Sequence, residues 1–288
     1  MGDARAHEDT WKRGDPYERF IGRWSRRIAP AFLAWLAMPP GRRWLDVGAG
    51  TGALSEAIAE HCAPASVVGV EPSEGFRASA QQRLGARATF LAGEGAQVPL
   101  AENAVDVTVS GLVLNFVPDP QAALAELARV TAPQGTIAAY VWDYAGRMDL
   151  LRAFWDAAIA LDPGAVARDE GVRFPLCRPE PLRALFTRAG LANVETEGIE
   201  IETVFADFAD LWSPFLGGQG PAPSYAMALA PEARERLRET VRERVEPPGG
   251  GAIALRARAW AVRGVVPQEA SGTGTPSARN MAAGKPSP

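Results

Sequence analysis

The stretch Leu45-Asp46-Val47-Gly48-Ala49-Gly50-Thr51-Gly52 joins a short apolar run to a segment of helical composition. Glycines at such a junction let the backbone turn sharply and approach a ligand closely, and the helix that follows offers free N–H groups. Gly48, Gly50 and Ala53 also satisfy the G-x-G-x-x-A spacing of dinucleotide sites. Glu71 ends the next predicted strand, where its carboxylate can accept two hydrogen bonds from a ribose diol. The stretch therefore predicts a strand, a glycine loop and a helix around a nucleoside-bearing ligand.

Predicted strands and helices alternate from this loop onward. Strands are predicted at residues 43–47, 66–70, 88–91, 104–110 and 135–142, with helices at 53–62, 74–84 and 121–130. This alternation is typical of an open, mostly parallel sheet. Two later strands, at 193–205 and 253–265, are expected to complete the sheet as an antiparallel pair. The predicted fold is α/β: a Rossmann-like open twisted sheet of about seven strands, mostly parallel with an antiparallel C-terminal strand, and helices on both faces.

One domain is predicted over residues 1–266. It begins with a helical segment at 1–40 and carries a lid-like helical insertion within 143–250, with helices at 147–161, 179–189 and 232–246 and a Gly/Pro-rich loop at 217–223. Apolar and aromatic residues of the insertion suit either an acceptor cover or an ordinary core: Phe205, Phe208, Trp212, Phe215, Tyr225 and Met227. Residues 267–288 contain no Val, Leu, Ile or aromatic residue, so a disordered tail is expected there.

The composition argues against several function classes. Thirty basic residues against thirty-four acidic ones give a net charge of −4, so no nucleic-acid partner is expected. Two distant cysteines and two histidines do not favour a metal site. No apolar run is long enough for a membrane span, and the first residues do not read as a secretory signal. A cytoplasmic location is therefore expected, while the sequence leaves the oligomeric state open.

Several segments together resemble class I S-adenosylmethionine-dependent methyltransferases. The glycine stretch is similar to their motif I, which prefers an acid before G-x-G-x-G. Val70-Glu71-Pro72-Ser73-Glu74-Gly75-Phe76 is similar to the family's acid-x-Ser-x-x-Met turn, with Phe76 in place of the more common Met. Gly93-Glu94-Gly95-Ala96-Gln97-Val98-Pro99-Leu100 is similar to its G-D-A-E-x-L-P-F segment, and residues 17–25 resemble a segment that folds over the cofactor in one subgroup. The likeness covers roughly residues 17–142.

The resemblance implies S-adenosylmethionine as the cofactor and a set of residues that hold it. Arg23 and the loop N–H groups would bind the methionine carboxylate, and Asp46 the ammonium group. Glu71 would bind the ribose, with Phe76 packing on the adenine and Glu94 accepting from its amino group. The full predicted set is Tyr17, Arg23, Ser25, Asp46, Gly48, Ala49, Gly50, Gly52, Glu71, Pro72, Phe76, Glu94, Gly95 and Ser110.

The predicted activity is methyl transfer to a small-molecule acceptor by in-line displacement, mainly through proximity and orientation. Two alternatives stay open: an NAD(P)-dependent oxidoreductase and a non-catalytic cofactor-binding protein. No lysine lies between Lys12 and Lys285, which excludes a Tyr-x-x-x-Lys dehydrogenase motif and a P-loop. No residue stands out as a general base, although His7 could reach the site if the N-terminal segment closes over it. Asn115, after the fourth strand, is a candidate substrate or cofactor contact, and Asp143 or Tyr144 could either orient a substrate or cap the local structure.

Overall fold

A computed structural model describes residues 22–218 and 220–268. Seven strands form one sheet: β1 (Arg43–Val47), β2 (Ser66–Val70), β3 (Thr89–Leu91), β4 (Val105–Gly111), β5 (Thr131–Trp142), β6 (Ala192–Phe205) and β7 (Ile253–Val265). The predicted N-terminal segment before residue 22, with Tyr17, and nearly all of the predicted tail lie outside the described residues.

The strands lie in the order β3-β2-β1-β4-β5-β7-β6. The pairs among β1 to β5 are parallel, whereas β7 runs antiparallel to both β5 and β6. The predicted fold class is therefore confirmed, including the late antiparallel pair. Because β1, β2 and β4 are parallel neighbours, the loops after them meet at one edge of the sheet, where open α/β sheets bind their ligands.

Ten α-helices accompany the sheet in the described part of the chain. Their bounds are α1 (Arg23–Leu36), α2 (Ala53–His61), α3 (Glu74–Leu84), α4 (Pro120–Val130), α5 (Asp149–Leu161), α6 (Glu170–Arg173), α7 (Pro179–Arg188), α8 (Phe208–Trp212), α9 (Pro221–Ala228) and α10 (Pro231–Val245). None of them is long and apolar enough to cross a membrane.

Two local predictions differ from the structure. The predicted loop at 217–223 gives way to α9 from Pro221, because proline is well tolerated in the first turn of a helix, where its missing N–H has no intrahelical partner. β5 begins at Thr131 rather than at residue 135, since Thr131 pairs with Val105 before a register shift restarts the ladder at Thr136. In both places a proline or glycine suggests a break in regular structure, but a helix begins at Pro221 and β5 continues through Gly135.

The aromatic residues of the insertion mostly form a core. The Phe154 ring of α5 stacks on Phe215 at a centroid distance of 4.5 Å, and Trp212 lies 5.4 Å from Phe215. Phe205, Phe208 and the three rings just named are almost fully buried, whereas Tyr225 is half-buried and Met227 exposed. Of the two interpretations offered by the sequence, the core explanation accounts for these buried rings.

Candidate ligand site at the carboxyl ends of the strands

The glycine loop after β1 has a left-handed backbone at three positions. Gly48, Gly50 and Gly52 have φ angles of +73°, +54° and +86°, which favour glycine. A Cβ added at Gly48 would lie 2.6 Å from a methyl group of Val113, whereas a Cβ at Gly50 would meet no atom within 4 Å. Gly48 is therefore needed for packing, and Gly50 borders open space that a ligand can enter.

Glu71, at the end of β2, faces this loop. One carboxylate oxygen accepts a hydrogen bond from the Gly50 N–H and the other from the Ser73 N–H, both at 3.0 Å. The residue is 7% exposed. A carboxylate has about four lone-pair sites, so two backbone donors fix its orientation and leave acceptor capacity for a ligand. This arrangement suits the predicted contact with a ribose diol.

Asp46 lies at the base of the loop and is buried. The Ser55 hydroxyl of α2 donates to its carboxylate at 2.6 Å. Burial raises the pKa of Asp46 to about 7; the Ser55 hydrogen bond opposes this rise, and the nearby Glu71 charge adds to it. Two carboxyl groups therefore share the neighbourhood of one loop, which favours a positively charged group of a ligand.

Three further residues of the predicted cofactor site, Ser110, Glu94 and Phe76, occupy different environments. The Ser110 hydroxyl is buried and donates to the Val47 carbonyl at 2.9 Å, tying β4 to β1. Glu94 is exposed on the turn after β3, where its backbone pairs with Gln97. Phe76 is half-buried in the first turn of α3.

Three predicted positions provide backbone, surface or space rather than a polar side chain. The Ala49 N–H donates to the Val70 carbonyl at 3.1 Å, which holds the loop against β2. Pro72 is exposed beside Glu71. A Cβ added at Gly95 would make ordinary contacts of 3.6 and 3.7 Å with Val47 and Ala123, so an alanine would fit there.

Arg23, in the first turn of α1, contacts α8. Its guanidinium pairs with Asp210 at 3.0 Å and lies over the rings of Trp24 and Phe205, 4.5 and 4.6 Å from their centroids. Ser25 is buried two residues later. The structure thus gives Arg23 a protein partner, and a role in cofactor binding stays a prediction.

The turn after β4 contains residues that sequence reasoning missed. Leu112 has a φ of +63°, an unfavourable conformation for a leucine, and Val113 lies directly over Gly48. Asn115 follows in a short 3-10 helix at Leu114–Phe116. Only Asn115 had a sequence signal, because it is a polar residue after a predicted strand end; no pattern marks Val113.

Asp143 and Tyr144, after β5, do not serve as a free base. The buried Asp143 carboxylate accepts from the Gly146 and Arg147 N–H groups and pairs with Arg258 at 2.6 Å, so it caps a turn. Tyr144 is buried, with its ring 5.6 Å from that of Phe174. Within the described ranges, no group of three or more His, Cys, Asp or Glu residues could hold a metal ion.

Comparison with known proteins supports this description. Residues 45–139 match the family model of the methyltransferase domain. Demethylmenaquinone methyltransferase of Renibacterium salmoninarum is 37% identical over 115 residues, 40% of this chain and 46% of the relative. Malonyl-[acyl-carrier protein] O-methyltransferase of Serratia marcescens is 38% identical over 112 residues, covering 39% and 43% of the two chains. The chain thus spans a little under half the length of these curated relatives.

The solved structures extend the likeness to the fold. Phosphoethanolamine N-methyltransferase 2 of Haemonchus contortus, solved with S-adenosyl-L-methionine, has a TM-score of 0.55 and 16% identity, covering 88% of this chain and 56% of that one. The region that matches the family model, residues 45–139, extends from β1 to β5 and includes the glycine loop and Glu71. The fold and the match confirm the predicted resemblance to class I S-adenosylmethionine-dependent methyltransferases. Residues 45–139 are similar in sequence to a methyltransferase domain.

Proposed function

We propose that this protein transfers a methyl group from S-adenosylmethionine to a small-molecule acceptor. The observation that carries the proposal is the Glu71 carboxylate, held by two backbone N–H groups beside the open space at Gly50. A ribose diol needs an oriented pair of acceptor oxygens, and a nucleoside needs backbone that it can approach closely. Both requirements are met at the carboxyl ends of β1 and β2.

The residues present fit the cofactor. The buried acid Asp46 suits its ammonium group, the half-buried Phe76 offers an apolar surface to adenine, and the exposed Glu94 can accept from the adenine amino group. When bound, S-adenosylmethionine supplies a methyl group that its sulfonium already activates. The chain then has to hold an acceptor close and aligned, and positioning alone supplies about 7–11 kcal/mol in good intramolecular reactions.

A lid role for the insertion within 143–250 is part of the proposal. The Arg23–Asp210 ion pair joins α1 to α8, and the rings of Phe116 and Phe174 join the turn after β4 to the segment after α6. These two contacts support the proposed lid role, because they join the insertion to α1 and to the turn after β4. A cover that excludes water strengthens electrostatic interactions inside a site.

The acceptor class is proposed on two grounds. One relative named above is called after demethylmenaquinone, which supports a small-molecule acceptor, and another after malonyl-[acyl-carrier protein], so the acceptor differs among related proteins. The net charge of −4 gives no general attraction for a nucleic acid. The cytoplasmic location and the absence of a nucleic-acid partner stay predictions from the sequence.

Thermal unfolding with separate ligands tests the cofactor. A ligand at about 100 times its Kd stabilises the folded state by roughly 2.7 kcal/mol. We expect S-adenosylhomocysteine and S-adenosylmethionine to raise the Tm by several degrees, and NADH and NADPH to leave it unchanged. A rise with the nicotinamides alone would instead support the oxidoreductase alternative. Binding without methyl transfer to any of a broad acceptor panel would support the non-catalytic one.

Glu71→Gln tests the residue on which the proposal depends. We expect the variant to lose about 1.5–3 kcal/mol of binding free energy for S-adenosylhomocysteine, because charge-assisted hydrogen bonds to the ribose become neutral ones. Isothermal titration calorimetry measures the change. The matched control is Glu102→Gln, since Glu102 is exposed in the loop before β4. Equal affinity in Glu71→Gln and wild type would remove Glu71 from the site.

A further inference from the structure

Three aromatic rings meet at the carboxyl ends of β4 and β5. The Phe174 ring lies 5.1 Å from Phe116 at an interplanar angle of 77°, and 5.6 Å from Tyr144 at 41°. We name Phe116, Tyr144 and Phe174 the aromatic clasp. Phe116 follows β4, Tyr144 follows β5, and Phe174 follows α6 in the insertion. Three separate parts of the chain therefore contribute to one apolar surface.

The aromatic clasp lies on the same edge of the sheet as the glycine loop. Phe116 is three residues after Val113, whose side chain covers Gly48. β1, β4 and β5 are parallel neighbours in the sheet, so the loops that follow them are adjacent. A molecule resting on the clasp is thus next to the loop that we assign to the cofactor, which is where an acceptor has to be.

The clasp differs from the aromatic core of the insertion. Phe154 and Phe215 are fully buried, whereas Phe116 and Phe174 are only partly buried. Two rings of the clasp therefore keep exposed surface, while Tyr144 is buried, and aromatic side chains are common in the walls of ligand pockets.

Phe174 is held in place by buried polar contacts in the insertion. Asp169 accepts from the Gly171 N–H at 2.8 Å and pairs with Arg152 of α5 at 2.6 Å. The Trp155 indole N–H donates to the buried Glu170 carboxylate. These contacts anchor α6 on α5, so the ring that follows α6 is presented in a fixed position.

Asn115 adds a polar group to this surface. Its amide nitrogen is buried, and no residue in the described part of the chain accepts a hydrogen bond from it. A buried donor without an acceptor is costly and rare in folded proteins. Asn115 precedes Phe116 in the same 3-10 helix, so this unpaired donor belongs to the same short turn as one ring of the clasp.

We propose that the aromatic clasp and Asn115 select an acceptor with a flat apolar ring that carries a hydrogen-bond-accepting oxygen. This inference rests on the proposed function, because it concerns the acceptor half of the same site. The partly exposed rings of Phe116 and Phe174 pack on the flat faces of the acceptor, with the buried Tyr144 ring supporting Phe174, and the Asn115 amide donates to the acceptor's oxygen. Aromatic pairs prefer offset or edge-to-face packing, which a planar ring permits and a puckered ring does not.

A set of three probes tests the inference in the presence of saturating S-adenosylhomocysteine. 1-Naphthol has both the flat ring and the oxygen, naphthalene lacks the oxygen, and 1-decalol lacks the flat ring. We expect 1-naphthol to bind about tenfold or more tightly than either of the others by ligand-observed NMR titration. Binding of 1-decalol as tight as that of 1-naphthol would overturn the inference, as would no binding of 1-naphthol at all.

Two variants of the full chain separate a selective role from a structural one. Asn115→Asp keeps the side-chain shape but replaces the donor by an acceptor. Because the hydroxyl of 1-naphthol could donate to the new carboxylate, this variant is tested with 1-methoxynaphthalene, whose oxygen can only accept. The Kd of 1-methoxynaphthalene should rise about tenfold while that of naphthalene stays the same. Phe174→Leu should weaken both aromatic probes about three- to tenfold and leave 1-decalol unchanged. The control is Asn193→Asp, since Asn193 is exposed.

Affinity for S-adenosylhomocysteine distinguishes the two levels of the proposal. It should be unchanged in Asn115→Asp, Phe174→Leu and the control. If the cofactor product binds and the probes show no preference, the acceptor inference fails and the proposed function stands. If the cofactor product itself does not bind to the wild type, the proposed function fails and this inference fails with it. Equal losses for 1-methoxynaphthalene and naphthalene in Asn115→Asp would show a structural role only.

Discussion

Gly50→Ala should remove ligand binding while leaving the fold in place. A Cβ at Gly50 meets no protein atom within 4 Å, so the substitution causes no clash in the free protein. The φ of +54° makes an alanine there unfavourable by about 1–2 kcal/mol. For a domain of this size, that corresponds to a decrease in Tm of roughly 2–8 °C. The new methyl group projects into the space that the ligand needs.

Gly48→Ala provides the matched comparison, since its φ of +73° imposes a similar backbone cost. Its Cβ would lie 2.6 and 2.7 Å from the two methyl groups of Val113, so the turn after β4 would have to move. Overpacking of this kind costs about 1–3 kcal/mol more. We therefore expect Gly48→Ala to be the less stable variant and Gly50→Ala to be the weaker binder.

Thermal unfolding and calorimetry with S-adenosylhomocysteine measure both effects on the same samples. Ligand at about 100 times the wild-type Kd should stabilise wild type by roughly 2.7 kcal/mol and Gly50→Ala by almost nothing. Folded Gly48→Ala should keep most of the stabilisation. Wild-type affinity in Gly50→Ala would refute the reasoning, because the open space would then not be the ligand site.

Three further predictions follow from single contacts. Gly95→Ala should stabilise the protein by about 0.4–1 kcal/mol in urea unfolding, because its Cβ finds room and the unfolded chain loses freedom. Burial raises the pKa of Glu170 to about 7. The free energy of unfolding should therefore fall as the pH rises from the ordinary pKa of a glutamate through 7, because the unfolded state loses its proton first. Glu170→Gln should remove that dependence and add on the order of 1–3 kcal/mol at pH 8, measured by urea unfolding at pH 5 to 8. The pKa of Asp46 is raised to about 7, so its carboxylate form becomes dominant between pH 6 and 8. If that form binds the ammonium group, the affinity for S-adenosylhomocysteine measured by calorimetry should increase over this range, and Asp46→Asn should abolish the increase.

The sheet was predictable because its signals are local. β1 and β2 are short apolar runs that end at a glycine loop and at an acid, and periodicity identifies such runs without knowledge of their neighbours. Strand order was not visible in the same way. The placement of β7 beside β5 depends on pairings between residues more than a hundred positions apart. The late strands were assigned correctly because both alternate polar and apolar residues.

The site was predictable only where the residue type carries the chemistry. Glu71 and the glycines follow from what a ribose and a close backbone approach require. Val113 could not be found, because its importance comes from lying over Gly48, and a valine after a strand resembles any other core residue. For Asp143 the sequence left substrate orientation and structural capping both open, and only its partners in the structure identify it as a turn cap.

The charge around the glycine loop argues for the sulfonium cofactor over a dinucleotide. Asp46 and Glu71 lie on the two strands that flank the loop, and their mutual repulsion contributes to the raised pKa of Asp46. A pyrophosphate at the start of α2 would add negative charge beside these two acids. S-Adenosylmethionine instead brings an ammonium and a sulfonium, which relieve the repulsion and favour the ionised form of Asp46. Binding of this ligand should therefore release a fraction of a proton near pH 7, visible as a dependence of the calorimetric heat on buffer ionisation enthalpy, and Asp46→Asn should remove that dependence.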